Sequence, residues 1–236
     1  MSIDRKTVEK RLGFELPEAY CEIVARSERC EPYLESDLKR MLIENLQLRM
    51  TPRPAAFAGK PWPPSFLCIG NDGCGNNYAI DVDAPQAGVW FFDHEADEFE
   101  IVAADLAEFV QQMAPLASID YRANGSQPLQ SDNHVIARTD RPEESVLVPI
   151  TLEEWKSLVE RDDQLEWIEF EERKHPFKAE EIRIPVYGLA RFQSGTESAN
   201  LQWAFGRLWN RRGGLETVEK MKAIASNLEA RFFPAG

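Results

Sequence analysis

The stretch Gly70-Asn71-Asp72-Gly73-Cys74-Gly75-Asn76-Asn77 has the composition of a ligand loop, because closely spaced glycines let backbone N–H groups approach a phosphate. That chemistry also requires a Lys-Ser/Thr pair and a helix directly after the loop. Neither follows here, since Asn77 opens an alternating strand pattern and Asp72 would repel an anion. The segment is therefore read as a turn whose Gly and Asn residues supply positive φ. Cys68 and Cys74, spaced C-x5-C, offer thiols to a metal, but the chain has only three histidines and no recognisable pairs of ligands. Cys21 and Cys30 lie nine apart, which is no metal spacing either.

Carboxylates are the other chemically capable group. Asp93-His94-Glu95 with Asp97 and Glu98 has the residue types of a metal or acid-base cluster. Neighbours on a strand point to opposite faces, so these residues converge only where the strand has ended. A solvated acidic turn, or a patch facing a partner, fits them better. Asp81 and Asp83 share one face of a strand pattern but lack the surrounding calcium loop. A Cys68–His94 nucleophile pair has nothing else in the sequence to support it. In the C-terminal half, Trp167, Tyr187, Phe192, Trp203, Phe205 and Trp209 gather near Arg207, Arg211 and Arg212. Aromatics beside arginines suit nucleic-acid stacking. The alternation of Leu201, Trp203 and Phe205 suits a core face, and that reading is preferred.

These residues sit on a recognisable succession of elements. Pro17 suits a helix start, with Tyr20, Ile23 and Val24 as its apolar stripe, and Leu38, Met41, Leu42 and Leu46 mark a second helix over 37–48. The proline-rich segment Thr51–Ser65 reads as a connection or lid. Residues 77–83 predict a half-buried strand with Asp81 and Asp83 on its exposed side, and Gly88–Asp93 a central strand. Asp105 and Glu108 have capping-box spacing at the start of a helix to Met113. From Ala114 to Glu144 the pattern fades, and ANGSQPLQSDNH reads as a linker. A strand SVLVPI, a helix opened by the Thr151–Glu154 capping box, strands at 165–171, 181–187 and 201–208, and a helix 215–231 follow. The last helix is expected to bury Leu215, Val218, Met221, Ile224 and Leu228. Strand, helix, strands, helix predicts a second small α+β unit, so the expected domains are 1–140 and 141–236.

Composition narrows the function. The 236 residues carry a net charge of −13, and Pro61–Tyr121 holds eleven acidic residues with no Lys or Arg. Such a chain is poorly suited to phosphate neutralisation, so nucleic acid is not an expected partner. No apolar run long enough for a membrane span and no secretory h-region stand in the sequence, and the sparse cysteines fit a reducing cytoplasm.

The opening Leu16-Pro17-Glu18-Ala19-Tyr20 and the run FLCIGNDGCGNNYAIDVDAPQAGVWFFDHEADEFEIVAADLAEFV (Phe66–Val110) together resemble the SUKH superfamily. The shared pattern is an L-P-x-x-Y start, a strand into a Gly-Asn-Asp-Gly turn, a strand ending in Asp, an aromatic strand and a closing helix, across roughly residues 5–115. The resemblance implies an α+β fold, a mixed sheet packed by helices, and a role in binding without catalytic residues or cofactors. Bacterial members are commonly immunity proteins that neutralise a co-encoded toxin, often a nuclease, while other relatives are scaffolds or regulators. A basic toxin domain is the expected partner, and Asp72, Asp81, Asp83, Asp93, Glu95, Asp97 and Glu98 are the expected partner-binding residues. An intracellular regulator without a toxin is the second reading, and an enzyme of unknown type the third.

Overall fold

The Leu16-Pro17 corner shows how the N-terminal unit is assembled. Helix α1 (Arg5–Leu12) is capped by Asp4, whose side chain accepts from Thr7 N, and buries Val8 and Leu12. Arg5 at its start donates Nε to Glu9 Oε1 at 2.7 Å and Nη2 to Leu16 O, while Glu9 Oε1 also accepts Leu16 N–H. The buried Leu16 thus has both backbone groups satisfied, and Pro17 can start α2 (Glu18–Ala25) without wasting a donor. Tyr20, fully buried on α2, donates its hydroxyl to Glu35 O at 2.6 Å.

The computed structural model describes residues 3–26, 30, 32–50, 61–117, 133–174, 181–195, 197–211 and 213–235. Residues 51–60 of the expected proline-rich connection, most of the expected linker (118–132) and Arg212 lie outside the described residues. The chain divides into two compact units, Met1–Gln127 and Pro128–Gly236. It is an α+β protein with one antiparallel sheet in each.

In the first unit, α3 (Leu38–Met50) precedes an antiparallel meander of β1 (Phe66–Asn71), β2 (Asn77–Asp81), β3 (Val89–Asp93) and β4 (Glu98–Ala103), in the order β1-β2-β3-β4. Helix α4 (Leu106–Ala117) closes the unit. Its start carries the Asp105 cap, accepting Glu108 N at 2.8 Å, while the Glu108 carboxylate reaches Ala104 N rather than the cap's own N–H. One sheet face is an aromatic cluster of Trp62, Phe66, Trp90, Phe92 and Phe99 around Cys68 and Ala79. The other face sets Tyr78 against Phe91 and against Phe109 of α4, with ring centroids 5.3 and 4.9 Å apart. Because both faces are covered, β2 is buried from Asn77 to Ile80, not half-exposed as its alternation predicts. The strand ends at Asp81, so Asp83 lies in the following turn.

The second unit is a six-stranded antiparallel sheet, β10-β5-β9-β8-β7-β6, made of β5 (Asn133–Ala137), β6 (Leu165–Lys174), β7 (Glu181–Ser194), β8 (Glu197–Ala204), β9 (Arg207–Arg211) and β10 (Arg231–Phe233). Helix α5 (Leu152–Val159) packs on β6 and β7, and α6 (Leu215–Asn227) on β5, β8 and β10. The Thr151–Glu154 capping box is present in both directions. Four elements differ from expectation. Strand β5 lies before residue 140, where the pattern fades, yet it is an inner strand of this sheet. Ser145–Leu147 of the expected strand SVLVPI end a 3-10 helix, Pro142–Leu147, because Pro142 fixes its first turn and Ser145 Oγ folds back to Pro142 O, and Val148–Ile150 follow it outside any strand. The expected strand 201–208 is two strands, reversed at Phe205 and Gly206 with φ of 52° and 74°. A Cβ at Gly206 would lie 2.7 Å from Pro149, so only glycine fits. Finally, α6 stops at Asn227; Met221, Ile224 and the capping Leu228 are buried as expected and Thr217 and Ala225 join them, while Val218 is half-buried and Leu215 is 78% exposed.

Candidate functional site

The glycine-rich turn between β1 and β2 is held by its own side chains. Asp72 Oδ1 accepts N–H from Cys74 and Asn76, and Oδ2 accepts Asn76 Nδ2 at 2.7 Å. That last bond fixes the Asn76 amide, so its Oδ1 faces His94 in the β3–β4 turn and accepts from His94 N at 3.0 Å. The His94 Nδ1 to Asn76 Oδ1 distance is 2.7 Å, which places the ring proton on Nδ1. Gly75, at φ +104°, passes under this ring, and a Cβ there would come 3.0 Å from His94 Cε1. Asp72, Asn76 and His94 therefore lock two neighbouring turns together. The arrangement is a corner in which Asp72 takes the N–H groups of Cys74 and Asn76 and Asn71 takes that of Gly73.

The strand register places the seven expected partner-binding residues at opposite ends of the sheet. Asp72, Asp93, Glu95, Asp97 and Glu98 share the end where β1 and β3 finish. Asp81 and Asp83 lie at the other end, one strand length away, which is about 13–17 Å. Within the first group the carboxylates have different work. Asp93 Oδ1 accepts N–H from Glu95 at 2.8 Å and Ala96 at 3.0 Å, and these bonds hold its pKa below the usual carboxylate value. Asp97 turns the chain at φ 56°. Glu95 and Glu98 are exposed. Asp93 and Glu98 are direct cross-strand partners, and exposed Glu100, opposite Phe91, continues the same face. Like charges directly opposite one another oppose strand pairing, so the fold holds this stripe against its own electrostatics. Glu100 was not singled out in the sequence, although its i, i+2 spacing from Glu98 on one strand face is the signal for it. At the far end, Asp81 Oδ1 accepts Asp83 N at 3.1 Å and shapes the turn.

A second polar group is buried, and sequence reading missed it. Asn45 on α3 is 0% exposed and interrupts the apolar stripe of Met41 and Leu42. Its Oδ1 accepts Cys68 N at 2.9 Å and its Nδ2 donates to Cys68 O at 2.8 Å, so one side chain pairs with edge strand β1 as a neighbouring strand would. Arg49 Nη1 reaches Asn45 Oδ1 and Nη2 reaches Phe66 O. Next to them, Glu44 Oε1 accepts the amides of Asn71 and Asn77 at 3.1 and 2.8 Å, and burial pushes its carboxyl pKa up. Cys68 is buried too, and burial pushes its thiol well above the ordinary value. It is no nucleophile for His94, which stands exposed at the end of the sheet.

In the second unit Leu201 and Trp203 are buried core residues, as their alternation implies, with Trp203 Nε1 donating to Ile150 O at 2.8 Å. Phe205, the third member of the expected alternation, is instead half-buried in the β8–β9 turn, while Phe192 on β7 is buried. Tyr187 is exposed and Trp209 half-buried, on the opposite side of the alternation from Trp203. Among the described residues, no group of three or more His, Cys, Asp or Glu side chains could hold a metal ion, and no helix is long and apolar enough to cross a membrane.

The N-terminal unit is thus a helix-packed antiparallel meander of the α+β class, with a self-locked turn and an acidic rim. Residues 4–112 match the family model described as SMI1 / KNR4 family (SUKH-1), so this N-terminal segment belongs to the SUKH family; the match does not extend to the remainder of the chain. That family includes immunity proteins of polymorphic toxin systems, and its members are generally non-catalytic. No curated protein and no solved structure matches the chain.

Proposed function

We propose that this protein is an immunity protein that neutralises a cognate toxin domain by covering a basic surface of it. The observation that carries the reading is the one-signed charge on a SUKH module: eleven acidic residues and no basic one between Pro61 and Tyr121. The docking edge is the β3–β4 end of the sheet, with Glu95, Glu98 and Glu100 as the outward charges and Asp93 and Asp97 shaping the turn beneath them. Asp72 is a turn-locking residue in this reading, and Asp81 and Asp83 belong to the far end. Acidic residues so placed would steer a basic partner and raise its association rate.

The test is co-expression with the polypeptide encoded beside this chain, scored by rescue of growth, followed by binding kinetics of the purified pair. Replacing Glu95, Glu98 and Glu100 together by Lys is expected to slow association about tenfold or more at low salt, while Asp81→Lys with Asp83→Lys changes it little. Rescue without any complex, or equal losses from the two sets, would sink the proposal. An intracellular regulatory role is the outcome if the neighbouring product is not toxic yet a complex still forms.

A further inference from the structure

We infer that the second unit carries a binding pocket for a small organic monoanion with a flat apolar body. The pocket, about 370 Å³, is lined by Asn133, Val135, Pro142, Arg207, Trp209 and Phe233, with Glu143 and Pro234 at the same site. Its volume lies in the range of small-molecule sites. Val135, Trp209 and Phe233 come from β5, β9 and β10, where Val135 is the direct partner of both others. Their side chains therefore form one row across three strands and make a rigid apolar floor. Arg207, two residues before Trp209 on β9, has the same side of the strand.

Arg207 gives the pocket its chemistry. Among the described residues, its guanidinium makes one hydrogen bond, Nη1 to Pro142 O at 2.7 Å, and no ion pair. A guanidinium has five N–H donors, so most of its fork remains available beside an aromatic wall. Partial burial pushes its pKa down, the sign of a cation short of compensating charge, and Glu143 offsets this only from a distance. A carboxylate would take the open donors while its body lies on Trp209 and Phe233. The exposed Glu143 carboxylate disfavours a dianion or a run of phosphates, so a single negative charge fits better than a nucleic-acid strand. The inference is independent of the toxin reading, which concerns the first unit.

The experiment uses the full chain and saturation-transfer NMR with 2-naphthoate and its neutral amide, 2-naphthamide. The carboxylate is expected to bind about tenfold more tightly than the amide, one charge-assisted hydrogen-bond pair converted to affinity. Arg207→Gln should remove that preference, and Glu143→Gln should widen it several-fold. Equal affinities, no binding of either probe, or a preference that survives Arg207→Gln overturns the inference. If Arg207→Gln loses its cooperative thermal transition, Glu143→Gln decides: an unaltered ratio overturns the inference and a wider one upholds it. Displacement of naphthoate by a ten-nucleotide oligothymidylate at equal or lower concentration would assign the pocket to nucleic acid instead.

Discussion

Replacing Asn45 by Leu removes the two hydrogen bonds that stand in for a neighbouring strand along β1, with little change in side-chain volume. Cys68 is buried, so its N–H and C=O would lose their partners without gaining water. Each buried backbone group left unpaired costs about 1–3 kcal/mol, so the pair costs about 2–6 kcal/mol. Arg49 loses one acceptor but keeps Asn45 O and Phe66 O, so its share of the loss is smaller. Against a typical domain stability of about 5–15 kcal/mol, the variant should still fold but unfold at clearly lower urea. Because the chain has two units, the informative assay is hydrogen exchange read peptide by peptide beside urea unfolding. Protection should fall at Cys68 and its β1 neighbours more than in β5–β10. A loss under about 1 kcal/mol, or unchanged exchange at β1, would refute the idea that Asn45 serves as the missing strand.

Two pH-dependent variants follow from buried or bonded carboxylates. Glu44 has its pKa raised by burial, so its ionised form opposes folding, and that cost is relieved as pH falls and the carboxyl protonates. Glu44→Gln keeps an acceptor for Asn71 and Asn77 and should raise the urea midpoint at pH 8, with a smaller gain at pH 5; a lower midpoint at pH 8 contradicts this. Glu154 has the opposite sign: Arg138, at 2.7 and 3.1 Å, and the Thr151 N–H hold its pKa down to about 2. Its contribution is present above the ordinary value near 4.5 and is lost as pH falls towards 2. The side chain is 41% exposed, so solvent screens the pair and Glu154→Gln should cost only about 1 kcal/mol at pH 7, converging with the parent near pH 2 in thermal unfolding. Parallel curves across that range would disprove the linkage.

What could be read from the residues was whatever is local. The Leu16-Pro17 corner, the Thr151–Glu154 box and the aromatic strand β3 announce themselves through types and spacing within a few positions. The misreadings arise where distant chain decides. β2 alternates like a half-exposed strand, yet α4 and the aromatic cluster cover both faces, which no local period encodes. NHVIA is too short to stand out from a polar stretch, and it is a strand because β9 and β10 flank it. Asn45 is legible only as a polar residue inside an apolar stripe, and its meaning depends on Cys68, twenty-three residues on. The seven acidic candidates, from Asp72 to Glu98, fall around three successive turns, and a meander sends successive turns to alternate ends, so nearness in sequence does not tell which share a surface.

That alternation separates conformational from recognition chemistry among the carboxylates. An Asp one bond shorter than Glu reaches the backbone just ahead of it, and Asp72, Asp81 and Asp93 each accept an N–H two residues on. Their charge is tied to holding a turn, and replacing any of them would disturb the loop before it informed on a partner. Glu95, Glu98 and Glu100 have a longer reach and stand exposed, so their charge is available to another molecule. The Asp93–Glu98 opposition then has a physical sense: Asp93 is stabilised from below by two N–H groups, which leaves Glu98 as the member whose repulsion an incoming cation would relieve. Under the proposed docking at the β3–β4 end, the glycine-asparagine corner acts only through this geometry. By fixing the β3–β4 turn through Asn76 and His94, it holds the acidic stripe in place while contributing no ligand of its own.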